Sequence, residues 1–417
     1  DINAWAYSDQ GAKANNSYST GYGSAVTTTN VVGVAVRNGK IYFAVNNTWQ
    51  ASSDPVTEAS PAFTNLTGSV AFCQSTNVGG SYAHTATWNF GQSAFAYTPP
   101  TGYKTLSTSN LPEPTIKDGS AYFQTTLYTG NGTAIGSGGN AISQAGNSTF
   151  QPDFAWMKSR SAATDHALYD AVRGTTKELI SNTAASESTL TEGLTTFGTA
   201  GFTVGSDAAV NTNTSTYVAW QWKAGGASSS NTDGSITSTV SANTTAGCSI
   251  LTYTGTGGAA TIGHGLGLTP KMVIVRERSP GGDDWYVYHE GLTSASYSLF
   301  LNTTAAQSGP SAAYWNSTAP TSSVFSLGTS VGVNQNTATY VAYCFADVEG
   351  YSKFGKYTGN GSANGPFIST GFKPAFIMCR STSSGTRWSM MDAARDPYNY
   401  NKRTIFADLA GVEDTGS

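Results

Sequence analysis

Thr216-Tyr-Val-Ala-Trp-Gln-Trp222 returns later in the chain as Thr339-Tyr-Val-Ala-Tyr-Cys-Phe345. Val218, Trp220 and Trp222 match Val341, Tyr343 and Phe345 at a period of two, which lines one face of a β-strand turned to a core. Val210-Asn211 leads into the first copy and Val333-Asn334 into the second. Further upstream stand three near-identical openings: Tyr128-Thr-Gly-Asn-Gly132, Tyr253-Thr-Gly-Thr-Gly257 and Tyr357-Thr-Gly-Asn-Gly361. Each is followed by a Pro-led apolar run that a basic residue closes: Gln151-Pro-Asp-Phe-Ala-Trp-Met-Lys158, Thr269-Pro-Lys-Met-Val-Ile-Val-Arg276 and Lys373-Pro-Ala-Phe-Ile-Met-Cys-Arg380. His166, Trp285 and Trp388 come next, and Asn182-Thr183 and Asn302-Thr303 mark a further shared position. The chain therefore repeats one module, and a repeat organises everything else.

Each copy is a string of short apolar runs separated by Gly, Asn, Ser and Pro, the pattern of a sandwich or barrel. Hydrophobic residues make up 39% of the 417 positions and charged residues only 11%, less than half the usual share of about 25%. Solubility then rests on Ser, Thr, Asn and Gly, which suits pleated sheets with hydroxyl-bearing outer faces better than helices. The expected fold is all-β, with tandem antiparallel β-sandwich domains of jelly-roll or concanavalin-like type. The expected layout is a β-sandwich over 1–106, a linker over 107–121 and a first module over 122–224. A Gly/Ser/Thr linker over 225–247 leads to a second module over 248–348, and a third module over 349–417 is cut short. The modules are expected to stand in a row, each with its own core.

A net charge of −4, with Lys and Arg scattered singly or in short pairs such as Lys402-Arg403, argues against a nucleic-acid partner. No apolar run reaches the roughly 18 to 20 residues of a membrane span. Asp1 opens without an initiator Met in what reads as mid-strand sequence, so an incomplete gene product and no signal peptide are expected. Cys73, Cys248, Cys344 and Cys379 lie far apart without metal-site spacing, so buried free thiols, no metal and no cofactor are expected.

Near the N-terminus, Val31-Val-Gly-Val-Ala-Val36, then Asn38-Gly39, then Lys40-Ile-Tyr-Phe-Ala-Val45 reads as a hairpin with a type I′ turn. This run resembles the later half of SPRY domains, which are concanavalin-like β-sandwiches. Asn89-Phe-Gly-Gln and Phe95-Ala-Tyr-Thr-Pro-Pro-Thr-Gly-Tyr103 resemble the end of that domain in phage proteins. The family carries Asn-Gly where this chain has Asn46-Asn47, and the front of the domain is expected to be missing. The Tyr-Thr-Gly-Asn-Gly modules resemble repeats found beside SPRY domains in marine phage tail-fibre-like proteins. The resemblance implies a place in a virion, in its tail or a surface appendage, and a role in host recognition.

Catalytic constellations are weak. Asp165, His166 and Asp170 suggest a triad, but the sister copies place Trp285 and Trp388 where the first has His166, so a packed ring is expected. His84 is isolated, and His264, in a Gly-rich turn, is expected to be exposed. The acidic candidates Asp283-Asp284, Glu277, Glu290, Asp392 and Asp396 form no pair that recurs between copies. Gly130-Asn-Gly132 and Gly136-Ser-Gly-Gly139 lack the context of a phosphate cradle and read as turns. The Asn-x-Ser/Thr sequons at Asn147 and Asn302 follow from composition.

Sugar binding needs an aromatic face beside polar side chains on a concave surface. Trp49, Trp88, Trp285, Tyr314 and Trp315 are the loop-adjacent candidates for a carbohydrate or receptor site, whereas Trp220 and Trp222 belong to a core. The expected function is non-enzymatic: a phage virion structural protein, a tail-fibre or receptor-binding component. Its expected partners are further copies of itself in a trimer, other virion proteins, and a host cell-surface glycan or protein. The alternatives are a purely structural subunit (capsid decoration or filament) and a glycan-depolymerising tailspike.

Overall fold

A computed structural model describes residues 4–67, 85–107, 110, 113–363, 365–398 and 401–416. The fold is all-β: strands pair in antiparallel sheets, and the α-helices are single turns such as Ala208–Asn211. Among the described residues no helix is long and apolar enough to cross a membrane. The chain divides into two compact units, Asp1–Glu113 and Pro114–Ser417. Cys73 and His84 lie outside the described residues.

In the first unit, Val32–Arg37 pairs with Lys40–Val45 around Asn38 and Gly39, whose φ values of 50° and 72° are those of a type I′ turn. Asn46 and Asn47 take φ values of 48° and 65° before Thr48–Trp49. Asparagine tolerates the left-handed region, so neither position needs glycine. Ile41, Phe43 and Ala62 form a small core with Trp5, Tyr7, Tyr22 and Phe63 against it.

In the second unit, the first two modules share one plan. The first orders its main sheet as Ala167–Asp170, Phe154–Ser159, Thr216–Trp222, Phe123–Thr129. The second repeats this as Tyr286–His289, Met272–Ser279, Thr339–Phe345, Cys248–Thr254. The closing strand thus sits between the opening strand and the Pro-led strand. Register follows the repeat: Tyr217 faces Tyr128 and Tyr340 faces Tyr253, each ring pair stacked at 5.0 Å and 13°.

The remaining signature residues serve the same joint. The Tyr128 hydroxyl donates to the Val210 carbonyl at 2.8 Å, and that of Tyr253 to Val333 at 2.6 Å. Asn211 and Asn334 accept from the Asn131 and Thr256 amides at 2.9 and 2.8 Å. A Cβ on Gly130 would lie 2.1 Å from the Thr212 carbonyl oxygen, and one on Gly255 2.2 Å from that of Gln335. Only glycine permits that approach.

Two expectations are corrected. Residues 225–247 do not form a linker: Ser229–Asn231 and Ser238–Asn243 extend the second module's main sheet beyond its opening strand. A run rich in Ser and Thr with little charge is competent for a strand once Val240 and Ile236 find a core, and both are buried beside Leu251 and Leu266. Nor do the modules stand in a row with separate cores. One face of each main sheet lines a private core, such as Ala155, Met157, Tyr169 and Ala219 with Phe202 and Val204 of a second sheet. The other faces meet in one cluster: Phe154, Trp156 and Trp220 of the first module, Ile274, Trp285 and Tyr343 of the second, Trp388, Met390 and Ile405 of the third. The third module contributes the strands Phe376–Cys379, Ser389–Asp392 and Ile405–Phe406.

Candidate functional site

Within the second unit, Trp285, Tyr314 and Trp315 form no exposed platform. Trp285 is fully buried, with its indole N–H donating to the Ile180 carbonyl at 2.9 Å and the Arg276 guanidinium 5.6 Å from its ring. Trp315 is buried against Tyr288, and half-buried Tyr314 packs on Tyr286 and Phe300. Trp285 and Trp315 therefore offer no face to a sugar. Each ends a polar loop, where sequence suggests exposure, but each points inward at a strand or helix boundary. In the first unit, Trp49 is half-buried, and Trp88 is exposed with its ring stacked on Phe90 at 5.9 Å.

The histidines are equally committed. His264, expected exposed, is buried, with Nδ1 accepting from the Leu266 amide and Nε2 3.2 Å from the Thr321 carbonyl. His166 is buried too. Its Nδ1 accepts from the Trp156 indole at 2.8 Å, so the proton lies on Nε2, which donates to the Phe406 carbonyl at 2.9 Å. Burial, then the Lys158 charge, push its pKa down to about 3, and no lone pair is left to take a proton. Of the acidic candidates, Asp284 accepts from Asn302, Glu290 binds Lys271, Asp392 pairs with Arg395 and Asp396 accepts from the Lys402 amide, whereas Glu277 is buried with neither carboxylate oxygen hydrogen-bonded among the described residues.

His166, Trp285 and Trp388 instead do one job three times. The Trp388 indole donates to the Phe300 carbonyl at 2.9 Å, as His166 does to Phe406 and Trp285 to Ile180. Ile180, Phe300 and Phe406 each stand two positions before Asn182, Asn302 and Asp408. Those three side chains accept from the His166, Trp285 and Trp388 amides at 2.9, 3.0 and 2.8 Å. The first module thus donates to the third, the third to the second and the second to the first. A second cycle runs the opposite way along the backbone, from the Glu187 amide to Arg278, from Gln307 to Thr382 and from Glu413 to Arg160, each at 3.0 Å. The three modules close into a ring within one chain.

Charge reinforces two of the junctions. Arg278 grips Glu187 with both ends of its fork at 2.8 and 2.9 Å, and Arg173 adds a bond at 3.1 Å. Arg160 grips Glu413 at 3.1 and 3.0 Å, with Arg395 and Arg403 adding bonds at 3.2 and 2.8 Å. Burial would raise both carboxyls, but the arginines around them outweigh it and hold them below the usual range. Behind these pairs, the fully buried pairs Asp170–Arg173 and Asp392–Arg395 close at 2.5 and 2.6 Å. Tyr343 donates to Asp170 at 2.8 Å and Trp220 to Asp392 at 3.0 Å, each reaching from the neighbouring module. Asp170 and Asp392 are among the sequence candidates, for a triad and for a carboxylate pair; Arg173, Glu187, Arg395 and Glu413 are not, and aligning the copies shows the shared Asp-x-x-Arg.

A groove of about 510 Å³ is lined by Gln151, Asp153, Lys223, Gly225, Asn243 and Thr244 among others. No aromatic ring lines it, so it lacks the stacking platform of a sugar site. Among the described residues no cluster of His, Cys, Asp and Glu could hold a metal ion.

A family model described as a domain of unknown function (DUF7483) matches residues 118–416, more than two thirds of the chain. The chain belongs to that family. No curated protein and no solved structure matches it.

Proposed function

We propose that this member of the family is a non-catalytic structural protein of a phage virion, a tail-fibre or receptor-binding component that contacts the host surface. The observation that carries the reading is where the chemically capable side chains lie. His166, Asp170, Arg173, Glu187, Asp392, Arg395 and Glu413 join modules to one another and present no activated group to a substrate. A ring tied by buried ionic and indole bonds suits a rigid building block. The resemblance of the modules and of the SPRY-like N-terminal run to phage tail-fibre-like proteins supplies the virion setting. Further copies of the chain in a trimer, other virion proteins, and a host glycan or protein are the partners this reading implies.

The test uses the fluorescently labelled full chain against a panel of bacterial strains and their extracted surface polysaccharides. Saturable binding to a subset of strains is the expected result. Binding to none, with many copies along an intact particle, would replace this reading by capsid decoration or a filament subunit. Release of reducing sugar from a polysaccharide would replace it by a depolymerase. Light scattering of the purified chain tests the trimer.

A further inference from the structure

The first module's main sheet ends on its opening strand. Phe123–Thr129 pairs with Thr216–Trp222 alone, whereas the matching Cys248–Thr254 is flanked on its far side by Ser238–Asn243. The Lys223 amide donates to the Tyr122 carbonyl and the Gly130 amide to that of Ser215, both at 2.8 Å. Antiparallel ladders alternate, so Gln124, Thr126 and Tyr128 bond the closing strand, and Phe123, Thr125 and Leu127 turn their backbone groups outward. Their counterparts Cys248, Ile250 and Thr252 face Asn243, Ser241 and Thr239. No strand faces Phe123, Thr125 or Leu127 among the described residues.

The chain's own approach does not supply that strand. At the same spacing, residues 114–118 stand where 239–243 stand in the second module. Pro114 has no N–H for a ladder, and it lies against Gly350, where an added Cβ would be 2.7 Å from the Pro114 Cβ. Asp118 accepts from the Ser120 amide at 2.9 Å and the Ser148 hydroxyl at 2.6 Å, and Tyr122 packs on Tyr351 at 6.1 Å. The chain therefore enters past Gly350 and Tyr351 rather than along the edge. Nor does the edge carry the usual guards of charge, proline or a bulge. Phe123–Thr129 holds seven uncharged residues in unbroken register, and Leu127 is 39% exposed.

We propose that this edge pairs with the same strand of a second copy of the chain, antiparallel about a two-fold axis at Thr125. That register sets Phe123 opposite the second copy's Leu127 on one face and Gln124 opposite its Thr126 on the other. An aromatic–aliphatic pair and a polar pair then form on each side of the axis. The Thr125 hydroxyl has no hydrogen-bond partner among the described residues. On the axis it meets its own counterpart, and a hydroxyl can donate to one partner and accept from the other. A second copy fits because the strand matches itself: it brings no like charges together across the axis, and an isologous contact closes. The contact is separate from the virion reading and from its trimer, since a two-fold doubles whatever the chain otherwise forms.

The full chain is compared with Leu127→Lys by analytical ultracentrifugation and calorimetry. The charge sits on a side chain already open to water, so the unfolding transition should stay in place while the particle mass halves. Thr125→Cys and Thr129→Cys are made in a chain whose Cys73 and Cys379 are replaced by serine. Residues opposite themselves in a ladder have Cα atoms about 5.5 Å apart, within disulfide range. Mild oxidation should therefore link two copies through Thr125→Cys, and not through Thr129→Cys, which points outward but does not oppose itself. A parent mass that Leu127→Lys leaves unchanged overturns the proposal. So does a Thr125→Cys chain that fails to cross-link, or that cross-links no faster than Thr129→Cys.

Discussion

Ring closure makes a quantitative demand on Arg160 and Glu413, which are 253 positions apart in the chain. The perturbations are Arg160→Met, Glu413→Gln and both together, compared with Arg278→Met, Glu187→Gln and their double at the other charged junction. Glu413 is 5% exposed and accepts from three guanidiniums. Neutralising it leaves Arg395, which has no exposed side-chain surface, with Asp392 as its sole counter-charge. Breaking a fully buried pair costs about 3–5 kcal/mol. Because Asp392 remains and Arg160 and Arg403 can turn to water, the Glu413→Gln cost should fall near the bottom of that range, about 3 kcal/mol.

The shared core predicts that residues 114–417 unfold as one. With about 300 residues at roughly 2.1 cal/mol/K each, 3 kcal/mol lowers Tm by about 5 °C. The coupling between Arg160 and Glu413 should be about 0.5–3 kcal/mol, the range for residues in one salt-bridge network. Urea unfolding with calorimetry measures both quantities. Additivity within about 0.5 kcal/mol for Arg160 and Glu413, alongside clear coupling for Arg278 and Glu187, would mean that the ring is open in solution between the third and first modules. Two separate transitions within residues 114–417 would refute the common core.

The junction carboxyls also set a pH response. Glu187 and Glu413 have folded pKa values below their unfolded ones, so their stabilisation is present above about pH 4.5 and is lost as pH falls through the folded values; Tm should drop there, and less steeply in Glu187→Gln. Glu178 has the opposite sign: burial, then Asp207, raise it to about 7, so stability declines as pH rises from about 4.5 to 7. Glu178→Gln should match the parent at pH 4 and exceed it at pH 8, by at most about 3 kcal/mol; equal Tm values at pH 8 would contradict this. Trp285→Phe removes the bond to Ile180, whereas Trp315 has no hydrogen-bond partner for its indole N–H among the described residues. Trp285→Phe should therefore cost at least 1 kcal/mol more than Trp315→Phe in urea unfolding, and equal costs would count against the junction. The Cys248 and Cys344 thiols are buried and pushed up, Cys344 to about 12; peptide mapping after a thiol reagent should find both unmodified until the chain unfolds.

The sequence was legible wherever a pattern acts locally. Period-two alternation places Val218 and Trp220 on a core face, and Asn38-Gly39 sets its turn without tertiary help. Comparing copies also rejects His166 as a base, because a position shared with Trp285 and Trp388 has to suit an indole. What stayed hidden was the partner of each face. The same alternation serves a private core and a shared one, so no strand pattern separates a row of modules from a ring. Trp285 and Trp315 were misplaced for the same reason: a polar loop does not say which way its last aromatic turns.

The junction residues show why three copies carry more information than one. Glu187, Gln307 and Glu413 keep the same backbone bond to the next module although their charge differs. Across from them stand Arg278, Thr382 and Arg160: arginine faces each glutamate, and threonine faces the glutamine. The charge pair is thus added to a geometry the backbone already sets, and it is absent where both partners are neutral. A pair that changes together while its backbone bond stays fixed marks a contact between modules, readable from one sequence once the copies are aligned. Glu187→Gln combined with Arg278→Thr converts a charged junction into the neutral form the protein already uses. That double variant should recover part of the stability lost by Glu187→Gln alone, because the half-buried Arg278 left without its counter-charge is removed with it, while buried Arg173 keeps Asp170. If the double variant is no more stable than Glu187→Gln, the neutral junction depends on its surroundings and the three sites are not interchangeable.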